Sequence, residues 1–230
     1  MAQAVAEAGI KAIFSYAGRV AKPKDQPIPQ RVGGFGGVEG LTGFLRANGI
    51  THVVDATHPF AAGMSWNAYH ACAALDLPLL ALTRPAWRAT REDSWTHVVD
   101  IASAVDALKG EPKRVMLALG RMHVAQFATQ PQHHYVLRLV DAPDVAPELP
   151  HHSVVVSRGP FDVAGDIALF KDHGVDVVVC KNAGGIGAEA KIFAARKLGL
   201  PIIMIDRPDL PRRAEVATPA EVLAWINPTG

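Results

Sequence analysis

Short runs of aliphatic and β-branched residues alternate along this chain with longer stretches whose apolar positions recur at helical spacing. Strand-like runs are KAIFSYA (11–17), THVVDAT (51–57), PLLALTR (78–84), THVVDI (96–101), RVMLALG (114–120), YVLRLV (135–140), SVVVSRG (153–159), VDVVVCK (175–181) and PIIMID (201–206). Several are almost wholly apolar, as strands covered on both faces must be. Helical patterns fill the gaps: GVEGLTGFLRANG, SWNAYHACAAL, ASAVDALKG, RMHVAQFATQ, FDVAGDIALFKDHG, GAEAKIFAARKLG and TPAEVLAWI. Gly49, Gly110, Gly174 and Gly199 close four of them, and Thr218 followed by Pro219 reads as a helix start. Alternation of this kind predicts an α/β fold with mostly parallel sheets.

The chain also resembles itself. GITHVVDATHPF…LDLPLLALTRP, from Gly49, parallels GVDVVVCKNAGG…LGLPIIMIDRP, from Gly174. Leu75, Leu77, Pro78, Arg84 and Pro85 map onto Leu198, Leu200, Pro201, Arg207 and Pro208 at an offset of 123, whereas the leading glycines are 125 apart. The pattern predicts two related β-loop-α-β units that differ by two loop residues, one in each of two lobes. The alternative is a chance likeness of two generic α/β units, since the shared motif is short.

Composition narrows the function. With 230 residues, 49% of them hydrophobic, the chain can bury a sizeable core, and 23 basic against 22 acidic side chains leave a net charge of only +1. No global field favours nucleic acid or an anionic membrane, so an anionic ligand must be held locally. Cys72 and Cys180 lie in apolar surroundings without a CxxC partner, which suits core packing in a reducing cytoplasm. No signal-peptide pattern opens the sequence and no window is long and apolar enough to span a membrane.

In a doubly wound sheet, ligands sit beyond the carboxyl ends of the strands. That rule selects SYAGR (15–19), RVGGFGG (31–37), DATHPFA (55–61), TRPAWR (83–88), LGRMH (119–123), SRGPF (157–161) and KNAGGIG (181–187). In the last, Gly185, Gly187 and Ala190 satisfy G-x-G-x-x-A, and Asp206 follows Gly185 by 21 residues, as in a dinucleotide fingerprint. A glycine-rich turn that merely reverses the chain would look the same. After the first strand-like run, Ser15, Gly18 and Arg19 stand where an NAD enzyme places an acid, which favours a 2′-phosphate and hence NADP. Such a charge-assisted contact contributes roughly 1.5–3 kcal/mol. Gly33 and Gly34 would let backbone approach a flat cofactor closely. His58 follows a strand directly, which suits either a general acid or a residue that positions cofactor. The pairs His133–His134 and His151–His152 suggest metal, but neighbours on a strand face opposite ways, so no metal site is expected.

These loops resemble those of the precorrin-6A reductase family, which includes the cobalt-precorrin-6A reductases. The resemblance rests on SYAGR, RVGGFGG, DATHPFA, RPAW, SRGPF and KNAGG in that order, with GLPIIMIDRP near the end, and spans essentially the whole chain. It implies two Rossmann-like lobes, at 1–98 and 99–230, with a cleft between them, and hydride transfer from NADPH to the macrocycle precorrin-6A, giving precorrin-6B on the route to cobalamin. Carried over by motif, Ser15, Gly18 and Arg19 would hold the adenosine phosphate, and Gly33, Gly34, Thr57, His58, Pro59 and Phe60 would line the rest of the cofactor path. Arg84, Arg158, Gly159, Lys181, Asn182, Gly184 and Gly185 would face the carboxylate-rich tetrapyrrole. His58 is the one weak candidate for a catalytic residue. Family members open with an apolar strand and a Gly-Gly-Thr turn that this sequence lacks, which is expected to expose strand edges and weaken cofactor binding. A cytoplasmic monomer or weak homodimer is expected. Two rivals remain: a transferase using a nucleotide or methyl donor at KNAGGIG, and a non-catalytic tetrapyrrole-binding protein.

Overall fold

The computed structural model describes every residue except 19–23, 140, 144 and 228–230. In chain order the elements are α1 (Ala2–Glu7), β1 (Phe14–Tyr16), β2 (Gln30–Val32), α2 (Gly37–Ala47), β3 (Val53–Asp55), α3 (Ala62–Leu75), β4 (Leu79–Leu82) and β5 (Trp95–Val98). There follow α4 (Ile101–Asp106), β6 (Arg114–Ala118), a 3-10 segment Arg121–Thr129, β7 (His134–Leu139), β8 (His152–Val156) and α5 (Val163–Asp172). The chain continues through β9 (Val177–Lys181), a 3-10 turn Ile186–Ala188, α6 (Ala190–Leu198), β10 (Ile202–Ile205), β11 (Ala214–Val216) and α7 (Pro219–Ile226).

The fold is α/β, and every strand pair among the described residues is parallel. Two compact units emerge, one of Met1–Arg84 with Asp209–Gly230 and one of Pro85–Pro208. A single cut at 98/99 does not describe them, because backbone pairing decides which sheet a strand joins. Strand β5 pairs with β10, Trp95 opposite Ile202, which carries residues 85–98 into the second unit. Strand β11 pairs with β4, Glu215 opposite Ala81, which returns the C-terminal segment to the first. Both crossings fall at the repeated Arg-Pro pairs, Arg84-Pro85 and Arg207-Pro208.

The repeat is structural. Strands β3 and β4 pair Val53 with Leu79, and β9 and β10 pair Val178 with Ile202. The offsets of 125 and 123 seen in the sequence convert one pair into the other. The two missing loop residues therefore leave strand register untouched.

The second unit holds a six-stranded sheet in the order β5-β10-β9-β6-β7-β8. All four residues of β10 and the first four of β9 are buried, which accounts for their unbroken apolar sequence. On one face Val178, Cys180, Ile202 and Met204 pack with Met116, Val136, Phe170 and Ile192, and each fully buried aliphatic side chain contributes about 1.5–3 kcal/mol. The first unit's strands form two sheets, β1-β2 and β11-β4-β3, with a core of Leu41, Leu45, Ala68, Ala71 and Cys72 between α2 and α3.

Local signals behave as their chemistry dictates. Thr218 accepts from the Glu221 N–H while the Glu221 carboxylate accepts from the Thr218 N–H, a closed capping box with Pro219 in the first turn. Gly199 ends α6 at φ 65°, the left-handed conformation that glycine adopts at least cost. RMHVAQFATQ forms a 3-10 segment instead of an α-helix. Its buried residues, Val124 and Phe127, are three apart, the spacing that a three-residue turn stacks on one face.

Candidate active site

The second sheet has a topological switch point. From β6 the chain moves outward to β7 and β8, whereas from β9 it moves the other way to β10. The loops leaving the adjacent carboxyl ends of β6 and β9 thus diverge, and such a divergence opens a ligand crevice. Lys181 is the last residue of β9, and His123 lies in the segment after β6. Lys181 Nζ stands 2.9 Å from His123 Nε2. An ammonium has no acceptor and a doubly protonated imidazole has none either, so a bond at this distance requires one of the two nitrogens to lack its proton.

The rest of the KNAGG loop is a scaffold. Asn182, 6% exposed, accepts the Trp87 N–H at 2.8 Å through Oδ1 and donates to the Trp87 carbonyl at 3.0 Å through Nδ2. Trp87 Nε1 donates to the Gly185 carbonyl at 2.9 Å, and Lys191 Nζ lies 4.5 Å from the Trp87 ring centre. Arg207 donates from Nε to the Asn182 carbonyl and from Nη2 to the Ala183 carbonyl. Gly184, at φ 69°, has no room for a side chain, since a Cβ would stand 2.2 Å from the Pro85 oxygen and 2.4 Å from Arg207 Nη2. The Gly185 N–H donates to that same Pro85 oxygen at 3.2 Å.

A phosphate cradle would need these backbone groups pointing outward, and α6 starting straight from the glycines. Here a 3-10 turn intervenes and no side chain caps α6. Asp206, the acid of the apparent fingerprint, lies 2.7 Å from His97 Nδ1. Gly184 and Gly185 thus pack against the 85–87 loop, while Gly187 has open space around it.

At the SRGPF loop, Arg158 pairs with Asp141 at 2.6 Å, both exposed, and Gly159 precedes Pro160 through a cis peptide bond. Arg138, Ser157, Arg158, Phe161 and Asp166 line a cavity of about 180 Å3 here. Half-buried Arg138 pairs with buried Asp166 at 2.5 Å, and Asp166 Oδ2 has no hydrogen-bond partner among the described residues.

In the first unit, Arg31 organises the ends of β1 and β2. Its Nη1 donates to Ser15 Oγ and to the Gly33 carbonyl, both at 2.8 Å, and its Nη2 donates to the Gly34 carbonyl at 3.0 Å. The guanidinium stacks 4.0 Å from the Phe35 ring centre. Gly18, at φ 77°, approaches so closely that a Cβ would meet the Gly33 backbone at 3.3 Å. Ser15, Gly18, Gly33 and Gly34 are thus brought together around one cation. Arg19 lies outside the described residues. The ends of β1 and β2 carry no carboxylate over 15–18 and 31–36, a donor set that fits a phosphate better than ribose hydroxyls.

The DATHPF loop is held by a buried acid. Asp55 Oδ1 accepts from the Thr57 N–H and hydroxyl, and Oδ2 accepts from Ser65 Oγ at 2.6 Å and Arg213 Nη1 at 2.7 Å. Pro59 is buried behind it, Phe60 half-buried, and His58 exposed. His58 Nδ1 accepts the Phe60 N–H at 3.2 Å. Arg84, also exposed, ends the first segment of this unit.

Sequence reasoning did not single out Asp55, Arg213, Arg31 or His123. Arg213 lies 158 residues from Asp55, so no local pattern could link them. The position of His123, three residues past the end of the strand run RVMLALG, was the usable signal.

The remaining titratable groups serve the framework. Burial pushes the Cys180 and Cys72 thiols up to about 11. His133 bridges the Lys113 N–H and the Leu108 carbonyl, and His134 Nε2 bonds Ser153 Oγ. Burial and the neighbouring Arg114 lower the pKa of His134. Among the described residues no three His, Cys, Asp or Glu side chains cluster in a metal-binding arrangement, and no helix is long and apolar enough to cross a membrane.

The family model of precorrin-6x reductase CbiJ/CobK matches residues 1–227. The chain belongs to that family. A precorrin-6A reductase of Rhodobacter capsulatus is 52% identical over 230 residues, all of this chain and 92% of that protein. A cobalt-precorrin-6A reductase of Priestia megaterium is 32% identical over 202 residues, covering 83% of this chain and 79% of its own length. A solved structure of a CobK precorrin-6A reductase superposes with a TM-score of 0.93 at 52% identity, covering all of this chain and 91% of that one. Like its relatives, this reductase is an oxidoreductase with the parallel α/β fold described above.

Proposed function

We propose that this reductase converts precorrin-6A to precorrin-6B in cobalamin biosynthesis by accepting hydride from NADPH, as a cytoplasmic enzyme, monomeric or weakly dimeric. Family membership over nearly the whole chain carries the reading, and the metal-free substrate is preferred because the 52% identical relative is named for it while the cobalt-named relative is 32% identical.

The first unit supplies the cofactor site. Ser15, Gly18, Gly33 and Gly34 form the adenosine phosphate end, with Arg31 as the described cation and Arg19 as a second. Thr57, His58, Pro59 and Phe60, fixed by Asp55, orient the rest. A bound NADPH would supply the hydride and the protein its alignment. The second unit supplies the macrocycle site through Lys181, Arg158 and Gly159; Asn182, Gly184 and Gly185 shape its loop from behind. The rival transferase reading is weakened, because a 3-10 turn separates the fingerprint glycines from α6 and the Gly185 N–H is bonded to the Pro85 carbonyl.

The test is the fall in nicotinamide absorbance when the protein is mixed with precorrin-6A and either NADPH or NADH. Turnover that prefers NADPH is expected. Equal rates with NADH remove the phosphate argument, no oxidation with either removes the reductase reading, and faster turnover of cobalt-precorrin-6A reverses the substrate preference.

A further inference from the structure

We infer that Lys181, oriented by His123, is the acid that protonates the macrocycle during reduction. The inference rests on the functional reading above.

Reducing a conjugated ring double bond adds two hydrogens in different forms. Hydride from the reduced nicotinamide brings a proton and two electrons to one ring atom, and the displaced π pair moves to a neighbouring atom, which must then gain a proton. In this step an Nζ–H bond of Lys181 breaks, its hydrogen leaves as a proton for that ring atom, and the bonding pair stays on Nζ as a lone pair. Nζ then regains a proton from solvent. Atoms and electrons balance without any further reactant.

Three observations converge on Lys181. It ends β9 at the switch point between β6 and β9, where an open parallel sheet presents its crevice. Its ammonium is held at 2.9 Å by His123 Nε2, so the directions of its other N–H bonds are set. The pair is half-buried, so solvent can restore the proton. The loop glycines and Asn182 make no competing acid, since they bind Trp87, Pro85 and Arg207. His58 belongs to the DATHPF loop assigned above to the cofactor. His123 is accordingly a positioning residue and Lys181 the catalytic one.

Lysine as a fixed charge for a substrate carboxylate would occupy the same place, and arginine separates the two roles. Arginine keeps the charge but does not give up its proton. Lys181→Met and Lys181→Arg are both expected to lower kcat by about 10²- to 10⁴-fold, with a solvent deuterium isotope effect that grows as proton transfer becomes limiting. His123→Ala is expected to lower kcat about tenfold at unchanged KM, and His123→Gln, whose side-chain oxygen still accepts from Lys181, to recover most of it.

A measurement without cofactor or substrate accompanies these. Lys181 donating to Nε2 requires the neutral His123 ring to carry its proton on Nδ1, which the imidazole 15N spectrum of the wild type reads directly. In Lys181→Met the ring is expected to return to the Nε2–H form. Lys181→Arg with kcat within about twofold of wild type overturns the acid role while leaving the reductase reading intact. An Nε2–H tautomer in the wild type overturns the pair. A wild type that does not oxidise NADPH overturns the reductase reading itself, and the acid role with it.

Discussion

The two β-α-β repeats share a register and differ in how the loop after the first strand is held. After β3 the loop hangs on a buried ion pair: Asp55 draws in Thr57, Ser65 and, from the C-terminal segment, Arg213. After β9 the equivalent loop hangs on a neutral amide and on backbone contact: Asn182 grips Trp87, and Gly184 lets Pro85 approach. Asp55 itself corresponds, at the offset of 125, to Cys180, a wholly buried thiol that packs and does nothing polar beyond a 3.9 Å contact with Met204. One backbone plan therefore accepts two unrelated anchors, and the chemistry of each loop lies in side chains that the repeat does not share.

Removing the charge anchor is the most severe test of this contrast. Arg213→Met leaves the Asp55 carboxylate buried without its cation, and a loss of about 3–5 kcal/mol is expected in urea unfolding. Hydrogen exchange should locate the loosening at the Thr57 amide. A small loss would mean that the serine and threonine hydroxyls hold the loop unaided.

The backbone anchor has its own test. Gly184→Ala must place a methyl against the Pro85 carbonyl at a positive φ, and about 2–4 kcal/mol of destabilisation is expected. Gly187→Ala, three residues on in the same loop with open space around it, should change stability by less than about 0.5 kcal/mol. Equal melting temperatures for the two variants would abolish the close-approach argument. Trp87→Phe removes the indole donor to Gly185 and should cost about 1 kcal/mol.

Acid gives a finer distinction. Burial alone would raise the Asp93 pKa, but hydrogen bonds from Arg196 and Thr90 outweigh it and hold the carboxylate below its ordinary value. A group depressed in the folded state adds stability above its unfolded pKa, which is lost as pH falls through the folded one. Wild-type stability should therefore decline below about pH 4, the ordinary aspartate range, and the decline should be shallower in Asp93→Asn. Parallel curves for the two proteins would show that the pair does not govern the second unit's acid sensitivity. The smallest effect concerns thiols: with both pushed to about 11 by burial, Cys72 and Cys180 should stay unmodified by a thiol reagent until the protein unfolds.

Much of the fold was legible because burial on both faces of a parallel sheet leaves an apolar run, as in Val177–Cys180 and Ile202–Ile205. Strands β2 and β11 were not, since each has three residues and none of them is buried. The Gly199 terminus and the helix start at Thr218 were readable because both are made within one turn of chain. KNAGGIG stays ambiguous for the same reason in reverse: its glycines obey a local spacing rule, but what meets Gly184, the Pro85 carbonyl and Arg207, lies outside the loop.

The sequence by itself determined the α/β class, the offset between the repeats and the set of loops at the carboxyl ends of strands, all properties of neighbours in the chain. Only the tertiary structure decided that β5 and β11 each join the sheet beyond their expected boundary, that Arg213 completes Asp55, and that His123 meets Lys181. Strand pairing and buried ion pairs join residues from 58 to 158 positions apart in these cases, and no periodicity in one dimension encodes them.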